Sequence, residues 1–287
     1  DVSGLADCEL VIEAVFEDLD LKRRIFADLE TVVTENAVLA TNTSCLRLAD
    51  IGENIAKPDR FCGMHYFSPA EINPVVELIR CEETSDATFS AVSDFLQGTK
   101  KQEIPCRDNN GFALNRFFCP YTNEAVRLLD EGVATVGQLD EIVKECFGLA
   151  LGPFAVMNIV GLPTSMKAQS SLGDLGPFYA LAEGLVARGT ENEPWDIEET
   201  VEAPSAEVVK TVSDRLIGAV LLPVLELLGE GTATLNAVDT GAEMAFRFVR
   251  TPGKLLEEFG DAEVQRLLTL VAEPHGHPMP QLETVTA

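Results

Sequence analysis

Basic residues are scarce in this chain: 21 Lys and Arg stand against 47 Asp and Glu, a formal net charge of −26 over 287 residues. That field repels phosphate backbones and anionic bilayers, so neither nucleic acid nor a membrane is an expected partner. The acidic surface reads first as a solubility device, and second as adaptation to salt. Long hydrophobic runs are missing too; no stretch is long enough to cross a bilayer, and none reads as a signal peptide. The seven cysteines (8, 45, 62, 81, 106, 119 and 146) include no CxxC pair. An odd count, with members inside apolar runs such as "RFCGMHYF", predicts reduced core thiols in a cytoplasmic protein, and supports neither a zinc site nor a cysteine nucleophile. Histidine is nearly absent. Two of the three lie in a Gly/Pro-rich tail, which leaves His65 to be explained.

What is present reads as globular: 46% hydrophobic and 24% charged residues, enough for two or three domains. "CELVIEAVF" (8–16) is a compact apolar run of the kind a buried parallel strand needs. "DLDLKRRIFADLETVV" (18–33) has helical spacing, "AVLATNTS" (37–44) is a second strand, and "RFCGMHYF" (60–67) a third after a short helical stretch. This β-α-β-α-β order predicts a parallel α/β sheet, completed by "PVVELIR" (74–80), a helix across 85–98 and "KQEIPC" (101–106).

Past Asn109 the period becomes helical. "GFALNRFFCPYTNEAVRLLDEGVA" predicts a long amphipathic helix stopped by Gly132. "TVGQLDEIVKECFG" predicts a second, N-capped by Thr135. Residues 163–206 read as a connector with one helix near 178–188, and the tail after Pro274 as frayed. A gapless internal repeat pairs Arg116 with Arg215, Glu131 with Glu230, Gly132 with Gly231, Thr135 with Thr234, Asp140 with Asp239, Pro153 with Pro252 and Gly161 with Gly260. Shared apolar spacing alone would not also match Gly, Thr, Asp and Pro, so a duplicated helical domain is expected. The fold class is therefore α/β followed by all-α: a sheet domain over 1–107, which the family resemblance given below makes a partial Rossmann-like, doubly wound one, a first helical domain with its connector over 108–205, and a degenerate second copy over 206–287.

Ligands of open α/β sheets bind beyond the carboxyl ends of the strands. Glu17 follows the first strand, "TNTS" (41–44) closes the second, and His65 ends the third. Glu77 lies on the next run, which can return antiparallel through "SPAEINP" and come beside His65. An imidazole, with an ordinary pKa of about 6.5, can accept a proton near neutrality. A carboxylate on its other nitrogen fixes the tautomer and stabilises the imidazolium. A structural, hydrogen-bonded histidine among aromatic neighbours is the competing reading.

"ADCELVIEAVFEDLDLKRRIF", "LATNTSCL", "GMHYFSPAEINPVVELI" and "NGFALNR" stand in the order and spacing of the L-3-hydroxyacyl-CoA dehydrogenase family, which the chain resembles over residues 1–161 and more weakly to about 270. The resemblance implies an NAD-dependent oxidoreductase that interconverts L-3-hydroxyacyl-CoA and 3-oxoacyl-CoA in fatty-acid or related metabolism. It implies that His65 is the base, Glu77 its orienting partner, Ser44 a hydrogen-bonder to the substrate oxygen and Asn115 a lining residue of the substrate cleft. Glu17, Lys22 and Asn42 match positions near the nicotinamide. Plainer roles compete with each: Ser44 as a helix cap, Asn115 as a helix-start hydrogen-bonder, Lys22 as a solvated helix charge, Glu17 as a charge at a helix N-terminus, Asn42 as a turn residue.

The chain departs from the family in lacking a GxGxxG turn, the helix end that would hold a pyrophosphate. It opens on Asp1 as a fragment or processed product would, entering just before the fourth strand, and is expected to bind NAD poorly by itself and to be inactive alone. Ser68 replaces the family's usual Asn, Ala155 and Asn158 stand where acidic residues are favoured, and "GDLGPFY" (173–179) is the nearest echo of a Gly- and Lys-rich stretch. In the second copy Asp214 replaces Asn115, so that copy is expected to be structural. It would pack on the first as a pseudo-dimer within one chain, with a homodimer as the other arrangement. Many relatives carry a fused hydratase domain, a context the duplication permits. Two other readings stand beside the first: a dehydrogenase of a small non-CoA hydroxy acid, and a non-catalytic helical assembly module on a truncated dehydrogenase.

Overall fold

The computed structural model describes residues 2–198 and 200–281, and the chain divides into two compact units, Asp1–Ala113 and Leu114–Ala287. Among the described residues, the first unit is built on a five-stranded sheet in sequential order. β1 (Leu10–Glu13), β2 (Val38–Thr41) and β3 (Phe61–Tyr66) run parallel, β4 (Val75–Arg80) turns back antiparallel to β3, and β5 (Gln102–Arg107) runs parallel to β4. α1 (Leu19–Glu30), α2 (Leu48–Gly52) and α3 (Asp86–Gly98) make the crossovers. Asp18 caps α1 through the Leu21 N–H, and Ser85 caps α3 through the Thr88 N–H.

Burial explains why these runs became strands. β2, β3 and β4 are buried at nearly every position, as interior strands of a covered sheet must be. Ala40, Cys62, Met64, Val76 and Leu78 pack with Val92 and Leu96 of α3. β1 is shorter than the apolar run 8–16 and alternates half-buried with buried positions, because it pairs with β2 alone. The hairpin return after His65 is the expected one, and it sets His65 directly opposite Glu77.

Among the described residues, the regular elements of the second unit are all helices. α4 (Asn115–Asp130), α5 (Val136–Phe147), α6 (Pro153–Val160) and α7 (Leu162–Ser170) are followed by α8 (Glu183–Glu191), then α9 (Ala206–Gly229), α10 (Leu235–Phe246) and α11 (Pro252–Ala272). The repeat appears element by element at one constant offset. Thr135 caps α5 and Thr234 caps α10; Asp140 accepts from the Phe154 N–H as Asp239 does from the Gly253 N–H. The break between α6 and α7 at Gly161 matches a kink inside α11 at Gly260, both with positive φ.

α4 packs along α9, whose residues Leu216–Leu225 are buried all round, as an interior helix requires. Across that seam Arg116 Nη2 donates to Glu230 Oε1 at 2.6 Å, and Arg215 Nη2 to Glu131 Oε1 at 3.0 Å. These are the same two positions of the repeat, exchanged, which is the reciprocity of an isologous two-fold contact.

Two expectations fail here. The connector holds not one helix at 178–188 but α7, two 3-10 turns (Gly173–Leu175 and Pro177–Tyr179) and α8. Ala180 and Ala182 are extended, so α8 cannot start before Glu183. Nor is the tail frayed as far as it is described: His277 is buried, its Nε2 is 2.7 Å from Glu226 Oε1, and its ring fills the space a side chain on Gly176 would occupy. The last of the tail, residues 282–287, lies outside the described residues.

Candidate active site

The carboxyl ends of β1, β2 and β3 carry the polar groups of the first unit. His65 Nδ1 lies 2.6 Å from Glu77 Oε2, and Glu77 Oε1 accepts the Ala113 backbone N–H at 2.9 Å. Both side chains are buried. An ionised Glu77 can only accept, so it places the proton on Nδ1 and leaves Nε2 as the basic nitrogen. Phe67 and Phe112 flank the imidazole at ring-centroid distances of 4.5 and 6.0 Å. Phe112 follows Gly111, and both have positive φ (50° and 74°). A left-handed phenylalanine is an uncommon conformation, and here it delivers the next amide, that of Ala113, to Glu77.

The loop after β2 is tied down at every turn. Asn42 Oδ1 accepts the Tyr66 N–H at 2.8 Å, linking the ends of β2 and β3. Glu17 Oε1 accepts from the Thr43 hydroxyl at 2.5 Å and from the backbone N–H groups of Ser44 and Cys45, each at 2.8 Å. Burial pushes the Glu17 carboxyl up, but Thr43, the Cys45 N–H, Lys22 and the Ser44 N–H together outweigh it and hold it below the usual carboxylate range.

Ser44 does not cap α2. The Leu48 and Ala49 N–H groups go to the Asp108 carboxylate, each at 2.9 Å, and Arg47 pairs with the same group. Thr43, not Ser44, accepts the Leu46 N–H. Lys22 is not a solvated helix charge either. It is buried, with Nζ 2.8 Å from Glu13 Oε1 and 3.2 Å from Glu17 Oε2. Asn115 is the first residue of α4, in the helical unit.

The structure thus brings His65 to Glu77, and Glu17 to Lys22 and the Ser44 backbone. Glu13, Asp108 and the Phe112–Ala113 corner are the contributors the sequence reading missed. Glu13 left one signal, an acidic residue inside an otherwise apolar strand; Asp108 left none.

Two family models match: the 3-hydroxyacyl-CoA dehydrogenase NAD binding domain over residues 1–109, and the C-terminal domain of the same family over residues 111–201. The mitochondrial hydroxyacyl-coenzyme A dehydrogenase of Homo sapiens is 36% identical over 157 residues, which cover 55% of this chain and 50% of that protein. The crystal structure of (S)-3-hydroxybutyryl-CoA dehydrogenase from Ralstonia eutropha is 34% identical with a TM-score of 0.64, covering 67% of this chain and 68% of that one. That of 3-hydroxybutyryl-CoA dehydrogenase from Escherichia coli K12, 19% identical, shares the fold with a TM-score of 0.86 over 99% of this chain and 82% of that one. The chain belongs to the 3-hydroxyacyl-CoA dehydrogenase family. It spans about half the length of the curated relatives it matches.

Proposed function

We propose that the protein containing this chain oxidises L-3-hydroxyacyl-CoA to 3-oxoacyl-CoA with NAD, and runs the reverse reduction, in acyl-CoA metabolism. The observation that carries the reading is the buried His65–Glu77 pair, with its second carboxylate oxygen fixed by a backbone amide. In the oxidation, His65 Nε2 takes the 3-hydroxyl proton while C3 loses its hydride. Glu77 holds the ring in the required tautomer and stabilises the imidazolium. Ser44 hydrogen-bonds the reacting oxygen and Asn115 lines the substrate cleft, on the family resemblance. NAD, when bound, supplies the hydride acceptor.

The residues present fit the nicotinamide end of that cofactor. Beyond β1 and β2 they offer Asn42, the Glu17-bound loop, and Phe16, a residue 86% exposed and open to stacking. We place Glu17 and Asn42 at this border, with Lys22 behind it. The exchanged Arg–Glu pairs support a pseudo-dimer within one chain, made of helical copies at 108–205 and 206–287. Free thiols at all seven cysteines fit a cytoplasmic, reducing setting.

The test is NAD-dependent oxidation of 3-hydroxybutyryl-CoA by the protein at its full natural length. His65→Ala should lower turnover by about 10²–10⁴-fold, the range of general-base catalysis, with NAD affinity unchanged. Activity on free hydroxy acids and none on the CoA thioester would move the assignment to the small-substrate dehydrogenase. No activity on either would favour the assembly module.

A further inference from the structure

Glu13 and Lys22 take no part in the proposed proton and hydride transfers, yet the chain buries both charges, each side chain at 1% exposure. Burying an ion pair costs several kcal/mol per ion, and the mutual attraction repays it only when further hydrogen bonds complete the arrangement. Here they do: Glu13 Oε1 also accepts the Val15 N–H at 2.6 Å, and most of the others lead to one loop. Lys22 Nζ sits between Glu13 Oε1 and Glu17 Oε2 and reaches the Val15 carbonyl at 3.5 Å. Each carboxylate then spends its other oxygen on residues 41–45. Glu13 Oε2 accepts the Thr41 hydroxyl at 2.7 Å, and Thr41 Oγ1 accepts the Thr43 N–H at 3.3 Å. Glu17 Oε1 takes the Thr43 hydroxyl and the Ser44 and Cys45 amides.

One ammonium therefore holds two carboxylates that would otherwise repel, and the two carboxylates hold the loop from opposite ends. Removing the cation would drive one carboxylate towards its neutral form and weaken every charge-assisted bond it accepts.

We infer that Glu13 and Lys22 are positioning residues for Ser44, acting through Thr41 and Glu17. This rests on the reading above that Ser44 binds the substrate oxygen.

Two measurements on the full-length protein test it. In amide hydrogen exchange, Glu13→Gln and Lys22→Met should each lower the protection of the Ser44 and Cys45 amides by about tenfold to hundredfold, the range for losing a hydrogen bond to a charged group. Thr41→Val, which keeps the shape and removes only the bridging hydroxyl, should lower protection at Thr43 and is the check if the charge variants fold badly. In steady-state kinetics, Glu13→Gln should reduce kcat about tenfold or more with KM for NAD unchanged. Unchanged exchange at 43–45 in all three variants would overturn the inference, as would an unchanged kcat in Glu13→Gln. An unaltered protein without dehydrogenase activity would sink the proposed function alone; the exchange results would still decide whether this pair holds the loop.

Discussion

Glu17 makes the residue scale measurable, because its loop-holding bonds require a charge. A carboxyl depressed in the folded state stabilises that state above its unfolded pKa of about 4.3, and the contribution is lost as pH falls through the folded value. Exchange protection of the Ser44 and Cys45 amides should therefore hold from neutrality down past the ordinary carboxylate value of about 4.3, and be lost only as pH falls through the lower folded value. Glu17→Gln should show low protection at every pH; protection in Glu17→Gln equal to that of the unaltered protein at neutral pH would contradict the account. At this scale His65 and Glu77 were legible, because a Pro-containing return between two strand-like runs leaves little choice of partner. Lys22 was not. A lysine on an amphipathic helix looks the same in sequence whether water or two carboxylates receive it, and burial is decided by residues of another strand. Asp108 was hidden for the same reason, since the amides it caps belong to residues far away in the chain.

Between elements, Gly63 is where β3 meets both β4 and α2. A Cβ there would come within 2.7 Å of Ile79 Cδ1 and 2.9 Å of Leu48 Cδ2, with Ile79 its direct partner in the antiparallel register. Gly63→Ala should cost about 1–3 kcal/mol by overpacking, read as a lower denaturation midpoint with unchanged slope. It should also lower turnover, because the strand that shifts carries His65. The helical seam offers a second test. Arg116 is buried with Glu230, Glu226 and the Tyr179 hydroxyl around it, so Arg116→Met should cost about 3 kcal/mol. Arg215 is less buried, and its partner Glu124 keeps Arg127, so Arg215→Met should cost about 1–2 kcal/mol. Equal losses in denaturant would be inconsistent with that asymmetry. The repeated helices were legible because their caps, stops and kinks recur as residue types: Thr135 with Thr234, Gly161 with Gly260. The region between α7 and α8 was not, since its path follows long-range contacts, with Phe178 and Tyr179 buried and the Arg127 guanidinium on the Phe178 and Ala180 carbonyls.

For the whole molecule the controlling number is the charge of −26. Self-repulsion of that size opposes compactness and is screened within about 10 Å at 0.1 M salt. The melting temperature should rise between low salt and about 0.5 M sodium chloride, by roughly 2–4 °C for each kcal/mol of repulsion relieved. A fall would mean that the surface ion pairs, also screened, outweigh the repulsion. Composition alone gave this prediction, while the change of hydrophobic period past Asn109 gave the division into α/β and all-α parts. The repeat predicted that the second copy packs on the first, but not that exchanged arginines would span the seam between α4 and α9, because a helix pattern records which face is apolar and not which charges cross it.

The central claim is that Glu77 holds the proton of His65 on Nδ1 and leaves Nε2 as the base. Long-range ¹H–¹⁵N NMR of the His65 imidazole at neutral pH reads this directly. The account predicts a protonated Nδ1 and a bare Nε2, a preference that weakens in Glu77→Gln. A proton found on Nε2, or the same tautomer whether or not Glu77 is present, would contradict it.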